Sequence, residues 1–439
     1  MKRLICWAIV LVMLLTALPA MADNTRTSGL YTYEIKGNGT ITITGFDWEA
    51  NGNADIYIPN LIDGYIVTAI GDEAFKCEQR GKGGCSLTLP DTITAIGKKA
   101  FWKASLWRIN LPDNLQNIGY GAFVGNNCEF VISGKHNYFA VIDCVLYNKV
   151  KKELLFCPST SSDISIPEGI ISIGDYAFYR DEEKWYDAVG KVQLPSTIQH
   201  IGNFAFYGFQ FDYGSSFMPE SLQTIGESAF EKSGFMDGSF KGFAFIPTTV
   251  TSIGKAAFRE SDWWNEIILA EGCVLSTIEE ETFKDCKAQI CIDTKNIHSV
   301  APYAFYQSGR AADNVKWEYL DSIDNWGEYA FTDTFGNTVF DEDTCAKAKL
   351  SSKLTKLPAG FELICNLPDT VTSISSHAYN GIVTDYRLSS ALMDIAADAF
   401  PRGSTFVVDA GSYAELWCSE NGFGYTIEGQ EDDLSWLNN

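Results

Sequence analysis

Residues suited to catalysis are sparse and scattered. The chain holds four histidines, His136, His200, His298 and His377, each in a different stretch of sequence. No Gly-rich phosphate loop, His-Glu-x-x-His zinc helix or Gly-x-Ser-x-Gly elbow occurs. Acidic runs such as Asp181-Glu182-Glu183 and Glu279-Glu280-Glu281 could pair as acid and base or collect calcium. In so acidic a chain they are not diagnostic, and no Asp-x-Asp-x-Asp-Gly loop accompanies them. No Cys-x-x-Cys supplies a structural zinc site. The sequence therefore predicts no enzyme, no cofactor and no metal. What it does offer is binding chemistry: aromatics set among acids in Trp185-Tyr186-Asp187, Phe211-Asp212-Tyr213, Asp262-Trp263-Trp264 and Trp317 with Tyr319. Trp and Tyr are favoured anchors of protein interfaces, and an exposed Trp is also a platform for a sugar ring.

The elements that must position these residues repeat. Pro, two polar residues, an aliphatic, two residues, Ile-Gly, two residues and Ala-Phe recur as Leu89–Phe101, Leu111–Phe123, Ile166–Phe178, Leu194–Phe206, Met218–Phe230 and Ile246–Phe258. Looser copies end at Phe75, Phe283, Phe305, Tyr379 and Phe400, with a degenerate one at Phe331, and neighbouring copies are mostly 21 to 28 residues apart. A period of this size predicts a solenoid, because one unit cannot bury its own apolar face. The alternating run before each Pro, such as Leu87-Thr88-Leu89, reads as a short strand that Pro ends. The following Gly is expected to allow a tight bend or a positive φ. Ala-Phe is expected to point inward, giving a stacked column of Phe75, Phe101, Phe123, Phe178, Phe206, Phe230, Phe258, Phe283, Phe305 and Phe400.

Aligning the strands on Pro predicts the outward residues coil by coil: Thr88, Asn110, Ser165, Gln193, Phe217, Phe245, Ile268, Cys291, Asn366 and Arg387. Phe217, Phe245, Ile268 and Cys291 come from consecutive coils and should form an apolar patch, which marks a contact surface. The alternative is that the segment 234–242 covers it. The aromatic segments after Ala-Phe, with Trp185, Tyr186, Trp263 and Trp264, should line one edge, either as a binding edge or as lids over the coil ends.

Pro-x-x-Ile/Val-x-x-Ile-Gly-x-x-Ala-Phe is the signature of the BspA-like leucine-rich repeats of bacterial surface and secreted proteins, which this chain resembles over roughly residues 30–427. The run from His136-Asn137-Tyr138-Phe139 to Leu146-Tyr147-Asn148 is similar to the family's longer variant repeat, with Cys144 where Gly is common. Gly411-Ser412-Tyr413-Ala414-Glu415 is similar to its usual last element. The resemblance implies a right-handed leucine-rich-repeat solenoid of mixed α/β class, mainly short strands, that serves adhesion or protein recognition without catalysis.

Lys2 and Arg3, the apolar run Leu4–Leu18 and Ala20-Met21-Ala22 read as a secretory signal peptide cleaved after Ala22. Removing its two basic residues takes the net charge from −23 to −25. That acid excess argues against nucleic acid, whose phosphates need clustered Lys and Arg. No later stretch is long and apolar enough to insert in a membrane. The expected organisation is a signal peptide (1–22), a strand-rich cap (23–60), repeats (61–408, irregular at 124–163 and 307–363), a helix–strand cap (409–427) and an acidic tail (428–439). Eleven cysteines remain after cleavage, an odd number. Cys77/Cys85 is a plausible local bridge and Cys286/Cys291 a weaker one, against the reading that Cys77 and Cys286 simply pack inside a coil. The expectation is a secreted, monomeric recognition protein, possible association with a cell surface being non-covalent. Its partner would be an extracellular protein, or alternatively a glycan.

Overall fold

The structure, a computed structural model, describes residues 24–52, 54–77, 84–158, 163–180, 189–212, 218–235, 243–262, 266–308, 315–333, 338–340, 342–363, 365–380 and 384–429. It divides into two units, one ending at Tyr138 and one beginning at Phe139.

The first unit opens with antiparallel strands Thr25–Ser28, Tyr31–Ile35 and Thr40–Phe46. Thr40–Phe46 then pairs in parallel with Tyr65–Ile70, and Ala95–Ile96 and Asn117–Ile118 continue that sheet. A second parallel sheet joins Ile56–Tyr57, Cys85–Thr88, Leu106–Asn110 and Glu129–Val131. Each coil thus contributes two strands. The strand before Pro is legible from its alternation; the one ending at the Ile of Ile-Gly is only two residues long, too short to show any period. A short helix, α1 (Trp48–Asn51), is capped by Asp47, whose carboxylate accepts from the Ala50 N–H.

The second unit repeats this design. Its strands Phe139–Ile142, Val145–Asn148 and Glu153–Phe156 are antiparallel, after which Ser172–Ile173, His200–Ile201, Thr224–Ile225 and Ser252–Ile253 run parallel. The turn between the first two places Asp143 and Cys144 at φ 49° and 65°. Cys144 therefore takes up the left-handed conformation, as both central residues of a tight hairpin of this twist must. The opposite sheets are Asp163–Ser165, Val189–Gln193, Gln210–Phe211 and Gly234–Phe235, then Phe243–Ile246, Glu266–Leu269, Gln289–Ile292 and Val315–Trp317. Helix α2 (Glu342–Lys347) precedes the last coils. Helix α3 (Tyr413–Asn421), N-capped by Ser412 and ended by Gly422 at φ 74°, leads to the strand Gly424–Ile427.

The ten phenylalanines of the column are all buried. In the second unit the rings of Phe178, Phe206, Phe230, Phe258, Phe283, Phe305 and Phe331 stack at 4.7 to 5.4 Å between neighbours. Phe331 is thus a full member, so the array continues into the stretch whose pattern is weak. One more coil, missed in the sequence, closes at Phe361, whose ring lies 5.0 Å from Trp326 and 5.8 Å from Tyr379.

Of the two alternatives the sequence left open, the glycine of Ile-Gly does not take the positive φ. The left-handed residue is the one two before Phe: Lys99, Gly121, Tyr176, Phe204, Ser228, Ala256, Tyr303 and Tyr329 lie at φ 51° to 64°. Most are not glycine, and the conformation costs them ~1–2 kcal/mol. It is held by a ladder between coils: Lys99 N–H donates to Tyr120 O, Tyr176 to Asn203 O and Phe204 to Glu227 O, at 2.8 to 3.0 Å. The Ile-Gly glycine is required by contact instead. A Cβ on Gly97, Gly119 or Gly254 would stand 2.5 Å from a backbone nitrogen of the preceding coil. Gly254→Ala is therefore expected to destabilise by about 1–3 kcal/mol, the usual cost of overpacking. Urea unfolding followed by circular dichroism reads it, and an unchanged midpoint would rule out the close contact.

Cys77 and Cys286 are free thiols, so neither bridge weighed from the sequence is formed. Cys286 packs within its coil with its sulfur 3.3 Å from Ser261 Oγ, and burial pushes its thiol up to about 11.

Candidate recognition surface

Strand alternation builds the outer face. In Glu266–Leu269, Ile267 and Leu269 are fully buried, which turns Ile268 outward. The parallel register sets Phe245 beside Ile268, Ile268 beside Cys291 and Cys291 beside Lys316. Phe245 is 59% exposed, Ile268 and Cys291 are half-buried, and Lys316 is exposed. Three of the four residues of the predicted apolar patch are thus adjacent; the fourth, Phe217, lies outside the described residues. Beside this column runs a polar one, Glu266 next to Gln289. With its amide oriented to satisfy both neighbours, Gln289 donates to Glu266 at 3.2 Å and accepts from Lys316 at 3.3 Å. The patch is thus an apolar column flanked by an ordered polar chain.

The other outward positions carry polar side chains in both units. In the first, Thr88 pairs with Asn110, but Tyr57, in register with Thr88, is 68% exposed and was overlooked. Ile56-Tyr57-Ile58-Pro59 carries the same strand-then-Pro signal and could have revealed it. In the second, Ser165 pairs with Gln193, and Arg387 is ion-paired to Glu428 at 2.5 Å.

Along the edge after Ala-Phe, Trp185, Tyr186, Trp263 and Trp264 lie outside the described residues. Two further aromatics read as loop residues are core instead. Phe211 is fully buried, and Trp317 is 3% exposed with its ring 5.8 Å from Phe305. Both end strands, Gln210–Phe211 and Val315–Trp317, where alternation turns them inward. The described edge instead presents rings two residues before or one after the core Phe in the coils of Phe178, Phe206, Phe305 and Phe331. Tyr176 stacks on Phe204 at 4.9 Å, Tyr179 on Tyr207 at 5.0 Å and Tyr303 on Tyr329 at 5.6 Å. Between these pairs Arg259 holds Glu231 at 2.6 Å and Glu281 at 2.5 Å, and Lys284 reaches Glu281 at 3.0 Å. In each pair the two rings cover one face of each other.

The histidines are dispersed. His136 is buried with Nε2 3.0 Å from Pro112 O. His377 lies 2.7 Å from Ser376 Oγ, which donates to Asp398 at 2.9 Å. The serine and the carboxylate meet the same ring nitrogen, Nδ1. A nucleophile relay needs them on opposite nitrogens. Among the described residues no cluster of three metal-ligating side chains occurs, and no helix is long and apolar enough to cross a membrane.

The fold and this surface define a repeat solenoid that displays residues in registered columns. The model of the BspA-type leucine-rich repeat region matches in six copies over residues 55–141, 151–242 and 231–349. The chain belongs to this family. No curated protein matches it. Among solved structures it is similar to a leucine-rich cell-surface protein of Faecalibacterium prausnitzii (19% identity, 89% of this chain and 96% of that one, TM-score 0.38). It is also similar to a leucine-rich-repeat protein of Bacteroides ovatus (20% identity, 92% and 99%, TM-score 0.41). The third, from Eubacterium ventriosum, is 17% identical over 70% of this chain and 93% of that one, with a TM-score of 0.38.

Proposed function

We propose that this chain is an exported, non-catalytic recognition protein that binds another extracellular protein through its outward sheet face, with Phe245 and Ile268 at the centre. The observation that carries this reading is the registered apolar column, in which a phenylalanine 59% exposed on the end strand of its sheet sits beside Ile268 and Cys291. Exposed aromatic anchors ringed by polar groups are the usual cores of protein interfaces. Membership of a family of typically secreted or surface repeat proteins supports the compartment, as does the signal-like segment at residues 1–22.

The test is binding of purified residues 23–439 to an array of extracellular-matrix proteins, beside a Phe245→Asp variant whose folding is checked by circular dichroism. Binding to at least one protein, weakened roughly ten- to thirtyfold in the variant, is the expected result. Binding that Phe245→Asp leaves unchanged would remove this face from the site.

A further inference from the structure

A second set of residues in the same unit carries ligand chemistry of a different kind. At four consecutive coils the residue two past the core Phe repeats one backbone geometry: Lys232, Glu260, Asp285 and Gln307 lie at φ 55° to 56°. The N–H of each donates at 2.9 Å to a carbonyl of the next coil, that of Arg259, Lys284, Tyr306 and Thr332 in turn. Their side chains therefore leave a rigid backbone in one row. A parallel row, four residues past Phe, consists of Gln210, Gly234, Asp262 and Lys287. Between the rows is an open cleft of about 620 Å³, within the ~300–1,000 Å³ range of small-ligand sites.

Its lining is entirely polar apart from Gly234, so it offers no pocket for an apolar anchor. Both cations have carboxylate partners, Lys287 with Asp262 at 2.6 Å and Lys232 with Glu260 at 3.9 Å. Asp285 is a third acid, which leaves no surplus positive charge for an anionic ligand. What remains is a mixture of donors and acceptors at fixed spacing, from the amides of Gln210 and Gln307, the ammonium groups and the carboxylates. A hydroxyl both donates and accepts, and a chain of hydroxyl-bearing rings can use such a mixture throughout its length.

We propose that this cleft binds an uncharged glycan chain laid across the coils. It is independent of the sheet-face reading, since no residue lining the cleft belongs to the apolar column. Burial raises the Asp285 carboxyl, with Glu260 and Glu281 adding to that against Lys284 and Arg259. A neutral ligand suits a group so placed.

The test is affinity electrophoresis of the purified chain through gels containing a soluble β-1,3-glucan, an α-mannan, a xylan or a galactan, at low and high salt. Retardation by at least one of them, little changed by salt, is expected. Asp285→Asn/Gln307→Ala should weaken it by on the order of tenfold or more. Gly234→Thr, whose Cβ would stand 2.8 Å from Gln210 Oε1 and so narrows the cleft and displaces that amide, should weaken it as well, and Phe245→Asp should not. Thermal midpoints confirm that the variants fold. Absence of retardation in all four gels overturns the proposal. So does retardation that both cleft variants leave intact, or binding of an oligolysine peptide alone that salt abolishes.

Discussion

Phe230→Ala is expected to destabilise the protein by roughly 3–5 kcal/mol, measured by urea unfolding. Phe230 is fully buried, with its ring 5.3 Å from Phe206 on one side and 5.3 Å from Phe258 on the other. Its N–H donates to Ala257 O at 2.8 Å, and the Phe206 N–H donates to Ala229 O at 2.7 Å. These ladder bonds fix the spacing of the coils, so the neighbouring rings cannot close over the gap. The full cavity penalty is retained, at the upper part of the range for large-to-small changes. Phe230→Leu, which keeps most of the volume, should lose much less. A loss below about 1 kcal/mol for alanine would mean that the coils do collapse and that the ladder is soft.

Arg259→Met should cost roughly 2–4 kcal/mol, below the 3–5 of a fully buried pair because the arginine side chain is 30% exposed. The Glu231 side chain is only 2% exposed, and its Oε1 accepts from both Nε and Nη2 of Arg259, at 3.0 and 2.6 Å. Without the guanidinium that carboxylate is stranded in a low-dielectric site. Arg259→Met/Glu231→Met should recover most of the loss, since an apolar pair of similar volume often replaces a buried ion pair without penalty. Failure of the double variant to recover would place the cost in lost packing rather than in charge.

The same arginine sets an acid response. Burial pushes the Glu281 carboxyl up, but hydrogen bonds and charge from Lys284 and Arg259 outweigh it and hold the group below its usual value. A carboxyl lowered on folding stabilises above its unfolded pKa, ~4.3, and loses that contribution as pH falls through its folded value. Stability measured in steps below that pH should therefore fall less steeply in Arg259→Met than in the parent.

The repeat was legible because six copies are nearly superimposable in sequence, and the outer apolar column followed from strand alternation alone. Phe245 needed no more than the position of Pro247 and a period of two, and Ile268 and Cys291 the same alternation in coils where Ala270 and Asp293 stand in place of Pro. The failures have specific causes. Glycine serves two ends, positive φ and close approach, and the sequence does not separate them; the structure assigns Gly97, Gly119 and Gly254 to close approach. The coil at Phe361 was hidden because Leu357-Pro358-Ala359-Gly360-Phe361 is one residue shorter than Ile-Gly-x-x-Ala-Phe and has Pro358 after the aliphatic where the pattern has Gly. Phe211 and Trp317 were misread because the segment after Ala-Phe was treated as loop throughout, whereas it re-enters a strand at Gln210 after Phe206 and at Val315 after Phe305. The polar cleft was invisible for a different reason: Lys232, Glu260, Asp285 and Gln307 share a backbone position but no residue type.

The contact made by the Ile-Gly glycines has a direction. A Cβ on Gly202, Gly226 or Gly254 would strike the coil before it, at Asp175, Asn203 or Glu227. Each glycine therefore answers to its predecessor and places no matching demand on its successor. An inserted whole coil that carries its own glycine meets the surface it needs, and presents to the next coil the same surface that coil already had. Duplication in whole units lengthens such an array without a new joint having to be invented. A slip of a few residues sets a side chain against backbone at the first junction, so the architecture corrects its own frame.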